Sequence, residues 1–196
     1  MFFGRRDAAV SWIVVFLGNP GARYENTRHN AGFMTADAVE KDFKTKISRV
    51  KFSSLTSVTT LCGQRVFLMK PQTYMNLSGG ALRQAMHFYR VPLSKVIVVS
   101  DDVAMPAGKL RIRRSGSAGG HNGLKDIIGK CGGEGFPRIK IGVGSPPREG
   151  NDMADWVLSK LSGDEKKLIT DAAERAVKAL AMIISDGIDT AMGEYN

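Results

Sequence analysis

The sequence predicts a single α/β domain, a mixed and twisted β-sheet flanked by helices. Three observations predict it. Apolar runs at 12–16 and 96–100 are continuous, as in strands buried on both faces. Segments with apolar residues at helical spacing lie between such runs. A Ser/Thr/Val-rich stretch at 52–61 turns at Gly63-Gln64 into an apolar stretch at 65–69, which reads as a hairpin.

The elements follow in order. Residues 1–11 carry Arg5-Arg6 without a long apolar core and read as a tail; the domain spans 12–196. A strand at 13–17 leads through a turn-rich loop into a helix over 33–43, where Phe33, Ala36, Val39 and Phe43 are near helical spacing. The hairpin follows, then a loop at 70–80 and a helix over 81–89 with Leu82, Ala85, Met86 and Tyr89 on one face. The buried strand at 96–100 is followed by a loop at 101–108 and a strand at 109–113 that alternates basic and apolar residues. A glycine-rich loop at 115–122 precedes a short helix over 123–130, and residues 138–143 alternate again. Pro146, Pro147 and Gly150 make 145–155 a flexible connection. The last helix starts at Ser162, which forms a capping-box pattern with Glu165, and Gly187 suits its end.

The charge balance narrows the function. The chain has 196 residues, 28 Lys+Arg and 19 Asp+Glu, a formal charge of +9, and a pI near 9.7. This excess suggests a polyanionic partner, with a merely solubilising surface as the competing reading. Cys62 and Cys131 are the only cysteines and are read as buried free thiols of a reducing compartment; no CxxC supports zinc or a disulfide framework. No apolar run approaches ~18 residues, so no membrane span is expected.

Four polar loops follow strands, at 18–30, 71–78, 101–108 and 115–122. If the sheet is mostly parallel, several of them gather at one edge. His29 with Asp101 then makes a base and its orienter, because a carboxylate accepting from one ring nitrogen fixes the tautomer and raises the basicity of the other. The competing reading has His29 and Asn30 capping the following helix. Asn76 and Asn122 suit holding a carbonyl or a water, since an amide both donates and accepts without changing charge; Asn at a helix start is their alternative. No histidine pair has metal-ligand spacing, so no metal site is expected. The glycine-rich loop matches neither a P-loop nor GxGxxG, so no nucleotide cofactor is expected. Lys109, Arg111 and Arg113 share one strand face, and Arg138 and Lys140 repeat the pattern; together they predict a cationic patch suited to phosphates.

Several ordered motifs resemble the bacterial-type peptidyl-tRNA hydrolases. They are Gly18-Asn19-Pro20-Gly21, Tyr24, Thr27-Arg28-His29-Asn30-Ala31-Gly32, Lys70-Pro71, Thr73-Tyr74-Met75-Asn76-Leu77-Ser78-Gly79 and Gly119-Gly120-His121-Asn122-Gly123-Leu124-Lys125. The resemblance runs roughly over residues 12–190. It implies a monomeric cytoplasmic enzyme of one mixed α/β domain, without metal or cofactor, that cleaves the ester between peptide and tRNA and so recycles prematurely released peptidyl-tRNA. By resemblance His29 is the catalytic base and Asp101 keeps it basic. Asn19 discriminates N-blocked from free aminoacyl-tRNA. Tyr24, Tyr74, Asn76 and Asn122 contact the tRNA end or the peptide, and Met75 lines the site. Arg113 and Lys140 clamp the tRNA 5′-phosphate next to the acceptor stem and 3′ end. The chain departs from the family's Asp-Glu-Leu-Asp-Leu-Pro by reading Asp101-Asp102-Val103-Ala104-Met105-Pro106, which bears on packing of that loop. Two alternatives are a non-catalytic RNA-binding relative of the splicing-factor kind on the same fold, and a small esterase or amidase using a His–Asp pair. The 145–155 segment is a candidate gate.

Overall fold

The computed structural model describes residues 9–146 and 152–196. Its centre is β1 (Trp12–Phe16), all five of whose side chains are buried. β1 lies parallel to both its neighbours, with Val14 opposite Leu68 on one side and Ile97 on the other. A strand in that position has no solvent face, which is why its sequence is apolar without alternation. The remaining strands are β2 (Arg49–Lys51), β3 (Ser54–Leu61), β4 (Gln64–Pro71), β5 (Val96–Asp102), β6 (Leu110–Arg113) and β7 (Arg138–Gly142). Their order across the sheet is β2-β3-β4-β1-β5-β7-β6. β4, β1, β5 and β7 run parallel, while β2, β3 and β6 pair antiparallel.

Helices cover both faces. α1 (Ala31–Asp42), α5 (Gly163–Ser185) and α6 (Ile188–Tyr195) pack on the face that carries Val14, Phe16, Leu68 and Val99. α2 (Ser78–Tyr89) and α3 (Asn122–Cys131) pack on the face that carries Ile13, Val15, Phe67 and Val98. Each such fully buried side chain contributes roughly 1.5–3 kcal/mol over its exposed state. The sixth helix, α4 (Met153–Leu158), lies beside the 3-10 turn Arg28–Asn30.

The expected mixed sheet and its hairpin are present, and the capping box forms: Ser162 Oγ accepts from the Glu165 amide while the Glu165 carboxylate accepts from the Ser162 amide. Several boundaries differ. β5 continues to Asp102, so Asp101 is a strand residue and not a loop residue. α2 starts three residues before the expected 81, because Ser78 and Gly79 are buried against α3. A Cβ at Gly79 would lie 2.4 Å from the Asp126 carbonyl oxygen, so the two helices meet this closely only through glycine. The sequence pattern does not predict β2, α4 or α6. The side chain of Val50, at the middle of β2, is 79% exposed, so no alternation marks that strand. Part of the supposedly flexible 145–155 is helix α4, started by the Asp152 carboxylate accepting from the Ala154 amide; residues 147–151 lie outside the described residues, as do residues 1–8 of the expected tail. Ser11, at the end of that tail, donates its amide to the Arg65 carbonyl at 2.8 Å. Cys62 is exposed, contrary to the expected buried thiol, because it sits with Gly63 at the tip of the β3–β4 hairpin, both at positive φ. Among the described residues no helix is long and apolar enough to cross a membrane.

Candidate active site

The parallel strands β1, β4 and β5 end at one edge of the sheet, and their continuations converge there. α1 begins between β1 and β5 at Gly32, where a Cβ would lie 2.3 Å from the Leu17 carbonyl oxygen and 2.7 Å from that of Val99. No larger residue fits, and this close seating fixes the 3-10 turn Arg28–Asn30 just before it. His29 is thereby carried to the end of β5. Its Nδ1 lies 2.9 and 3.0 Å from the two carboxylate oxygens of Asp101.

A second histidine shares the same carboxylate. His121 Nε2 lies 3.0 Å from Asp101 Oδ1, and the two imidazole centroids are 4.8 Å apart. His121 is also the N-cap of α3: its Nδ1 accepts from the amides of Gly123 and Leu124 at 3.1 and 3.3 Å. These bonds fix the proton positions. Since Nδ1 of His121 accepts, its Nε2 bears the hydrogen and donates to Asp101. Burial alone would push the Asp101 carboxyl up, but the two imidazoles hold it well below the usual carboxylate range, so it is ionised and accepts. His29 therefore donates from Nδ1, and its lone pair is on Nε2. That nitrogen has no protein partner among the described residues, and His29 lines a cavity of about 280 Å³ with Asp101, His121, Asn122, Lys140 and Val157.

The same logic decides against a metal. His29, Asp101 and His121 offer donor atoms within 4.8 Å of one another. The nitrogen that His121 turns toward the group, however, carries a proton set by the α3 amides, and a metal there would have to break the cap.

The other expected residues are distributed around this centre. Asn19 is buried: its Oδ1 accepts from the Met75 amide at 2.8 Å, and Asn30 embraces its backbone, Oδ1 accepting from Asn19 N at 2.8 Å and Nδ2 donating to Asn19 O at 3.0 Å. The Asn30 side chain is thus spent on Asn19 and does not cap α1, whose N-cap residue makes no side-chain cap bond. Met75 is buried below the loop, and Tyr24 and Tyr74 meet edge to face with centroids 6.4 Å apart, Tyr74 being 60% exposed. Asn76 is exposed on the 3-10 turn Met75–Leu77, outside the residues that line the cavity. Asn122 lines it, and α3 is capped by His121 instead of by Asn122.

The cationic patch needs correction. Lys140 lines the cavity and pairs with Asp102 at 2.5 Å. Its cross-strand partner is Arg111, whereas Arg113 lies opposite Arg138. Arg138 is 2% exposed and is not part of a surface patch. Its guanidinium donates to the carbonyls of Ser117, Gly116 and Glu134 and so ties down the glycine-rich loop that ends in His121. β-alternation predicts the face correctly but cannot reveal that the loop folds back over it.

Sequence reasoning also misses Arg28, directly before His29. It donates to Ser159 Oγ at 2.6 Å, to the Lys160 carbonyl at 3.0 Å and to Glu165 Oε1 at 2.5 Å, and its guanidinium stacks 3.6 Å from the Trp156 ring. Trp156 in turn donates to the Gly144 carbonyl at 2.7 Å. The turn carrying His29 is thus anchored to α4, whose Val157 lines the cavity. These partners are more than 125 residues away in sequence, and no local signal announces them.

Comparison with known proteins agrees with this geometry. Residues 13–196 match the family model described as Peptidyl-tRNA hydrolase. The Peptidyl-tRNA hydrolase of Caldanaerobacter subterraneus subsp. tengcongensis is 50% identical over 185 residues, 94% of this chain and 99% of that protein. That of Carboxydothermus hydrogenoformans is 45% identical over 94% of this chain and 98% of its own length. The crystal structure of peptidyl-tRNA hydrolase from Acinetobacter baumannii superposes with a TM-score of 0.89 at 31% identity, covering 95% of this chain and 94% of that one.

Proposed function

Because the chain belongs to the peptidyl-tRNA hydrolase family, we propose that it hydrolyses the ester between a peptide, or an N-blocked amino acid, and the terminal ribose of tRNA. One observation carries the mechanism: a single ionised carboxylate orients two imidazoles, and only His29 Nε2 keeps a lone pair free toward the cavity. A water held there gives its proton to His29 Nε2 as its oxygen attacks the ester carbonyl. The imidazolium that forms stays paired with Asp101. The Asn122 amide, at the N-terminus of α3, meets the oxyanion, while Asn76, exposed on the turn Met75–Leu77, contacts the tRNA end outside the cavity. Collapse of the intermediate breaks the bond to the ribose oxygen, which takes the proton back from His29.

Asn19, held between Asn30 and the Met75 amide, presents a rigid polar surface to the acyl nitrogen and disfavours a free ammonium. Tyr24 and Tyr74 border the acyl or adenosine end. Arg113 and Lys140 supply positive charge for the 5′-phosphate. No step needs a metal or cofactor. We assign the protein to the cytoplasm as a monomer, in keeping with translation-linked recycling.

The test is release from an N-acetylated aminoacyl-tRNA, with the unblocked aminoacyl-tRNA and the His29→Ala protein alongside. Release from the blocked substrate alone, lost in the variant, is expected. Wild-type protein that binds tRNA but releases nothing would refute the hydrolase reading, and equal turnover of a small free ester would point to a general esterase.

A further inference from the structure

Arg28 directly precedes the base in sequence, yet the reaction described above gives it no task. It is 5% exposed, and its Nε is buried without a partner among the described residues. Taking an ion pair out of water returns little stability, and an unpartnered N–H adds a further cost. An apolar side chain of that size would fill the same space more cheaply. Stability therefore does not account for the arginine. What its guanidinium does is hold separate backbone segments at a fixed spacing.

Those segments are the turn of His29 and the stretch that joins α4 to α5. Thr27 and Lys160 form an antiparallel bridge. Beside it the Arg28 amide donates to the Ser159 carbonyl at 3.3 Å, and the Leu161 amide donates to the Asn26 carbonyl at 2.9 Å. The Arg28 side chain crosses this pairing. One planar fork grips α4 at the Trp156 ring, the connection at Ser159 and Lys160, and the first turn of α5 at Glu165. Glu165 is itself fixed, because its other oxygen accepts from the Ser162 amide at 2.8 Å. α4 in turn supplies Met153, Ala154 and Val157 to the cavity that His29 lines. The spacing between that wall and the base is thus set by the residue next to the base.

We propose that Arg28 is a positioning residue for the reaction. It holds α4 and His29 as one body, so that an acyl group seated against α4 presents its carbonyl to the water on His29 Nε2. This rests on the reading of the substrate as an N-blocked ester of tRNA. A contact that only aligns the reacting atoms is felt in kcat and not in tRNA affinity, and a misplacement of about 1 Å can cost about 10²-fold. Lysine cannot take the place of Arg28. Its ammonium keeps a charge opposite Glu165 but has neither the fork nor the plane that stacks on an aromatic ring.

The experiment compares wild type with Arg28→Lys, with Arg28→Met/Glu165→Gln, and with Ile183→Val, which loosens the buried face near the other end of α5. Kinetics are measured on N-acetylated aminoacyl-tRNA, affinity on deacylated tRNA, stability as Tm, and the imidazole ¹⁵N resonances by NMR. Both Arg28 variants are expected to lose about 10–100-fold in kcat with KM and tRNA affinity unchanged, and to shift the His29 resonances. The double variant keeps its Tm, because uncharged groups replace a buried ion pair. Ile183→Val lowers Tm but keeps kcat and the His29 resonances. Wild-type kcat in Arg28→Lys, or a kcat loss of the same size in Ile183→Val, would overturn the proposal. If the double variant does not fold, Arg28→Lys decides alone. If wild type hydrolyses nothing, the hydrolase reading fails and the His29 resonances still decide: unmoved in the Arg28 variants, they refute the positioning role.

Discussion

Replacing Asp101 by asparagine tests the proton arrangement at its centre. The side chain would keep its size but would hold one acceptor and one donor where it now has two acceptors. His121 cannot adapt, because its Nδ1 is committed to the Gly123 and Leu124 amides and its Nε2–H must find an acceptor. The carboxamide oxygen is therefore drawn to His121, and the carboxamide NH₂ faces His29 Nδ1. His29 then accepts at Nδ1 and carries its hydrogen on Nε2, where the lone pair is needed. A tautomer locked the wrong way in this manner costs about 10⁴-fold in kcat in a serine-protease triad, so a loss of about 10³–10⁴-fold, or ~4–5.5 kcal/mol of barrier, is expected here. The assay is kcat/KM on N-acetylated aminoacyl-tRNA, paired with ¹⁵N NMR of the imidazoles to identify the protonated nitrogen. Activity within tenfold of wild type, or an unchanged His29 tautomer despite lost activity, would refute the reasoning.

Other consequences follow from the same contacts. Arg138→Met removes the donor to three loop carbonyls; a stability loss of about 2 kcal/mol by urea titration is expected, with lower kcat/KM because the loop positions His121, and an unchanged urea midpoint would contradict this. Ser162→Ala breaks the capping box of α5 and should cost about 1 kcal/mol, seen as a lower Tm with kcat preserved. Burial pushes the Cys131 thiol up to about 11, while Cys62 is exposed; alkylation near pH 8 followed by mass spectrometry should label Cys62 and spare Cys131, and the reverse order would be a failure of the account.

What the sequence makes legible and what it hides divide along physical lines. Strands such as β1 and β5 are buried on both faces, and their unbroken apolar runs say so locally. The His29–Asp101 pair is reachable because both residues sit beside the ends of such strands. The second imidazole is harder: His121 stands in view within Gly-Gly-His-Asn-Gly, but its ring does two jobs at once, capping α3 and donating to Asp101, and only the fold brings the second partner. Arg138 reads from alternation as one more exposed cation, and it is buried because the glycine-rich loop returns across its strand. The anchor from Arg28 to Trp156 and Glu165 joins segments that share no local pattern. Short elements such as β2 and α4 escape notice because three to six residues cannot display a period.

The central claim is that His29, neutral and with its lone pair on Nε2, takes the proton from water. The pH dependence of kcat/KM for N-acetylated aminoacyl-tRNA, measured for wild type and His29→Ala across the range in which both stay folded, tests it most directly. The account predicts an acid limb on which the rate falls tenfold per pH unit, and predicts that this limb is absent from the residual activity of His29→Ala. A rate that stays flat across that range, or an acid limb that survives in the variant, would contradict it.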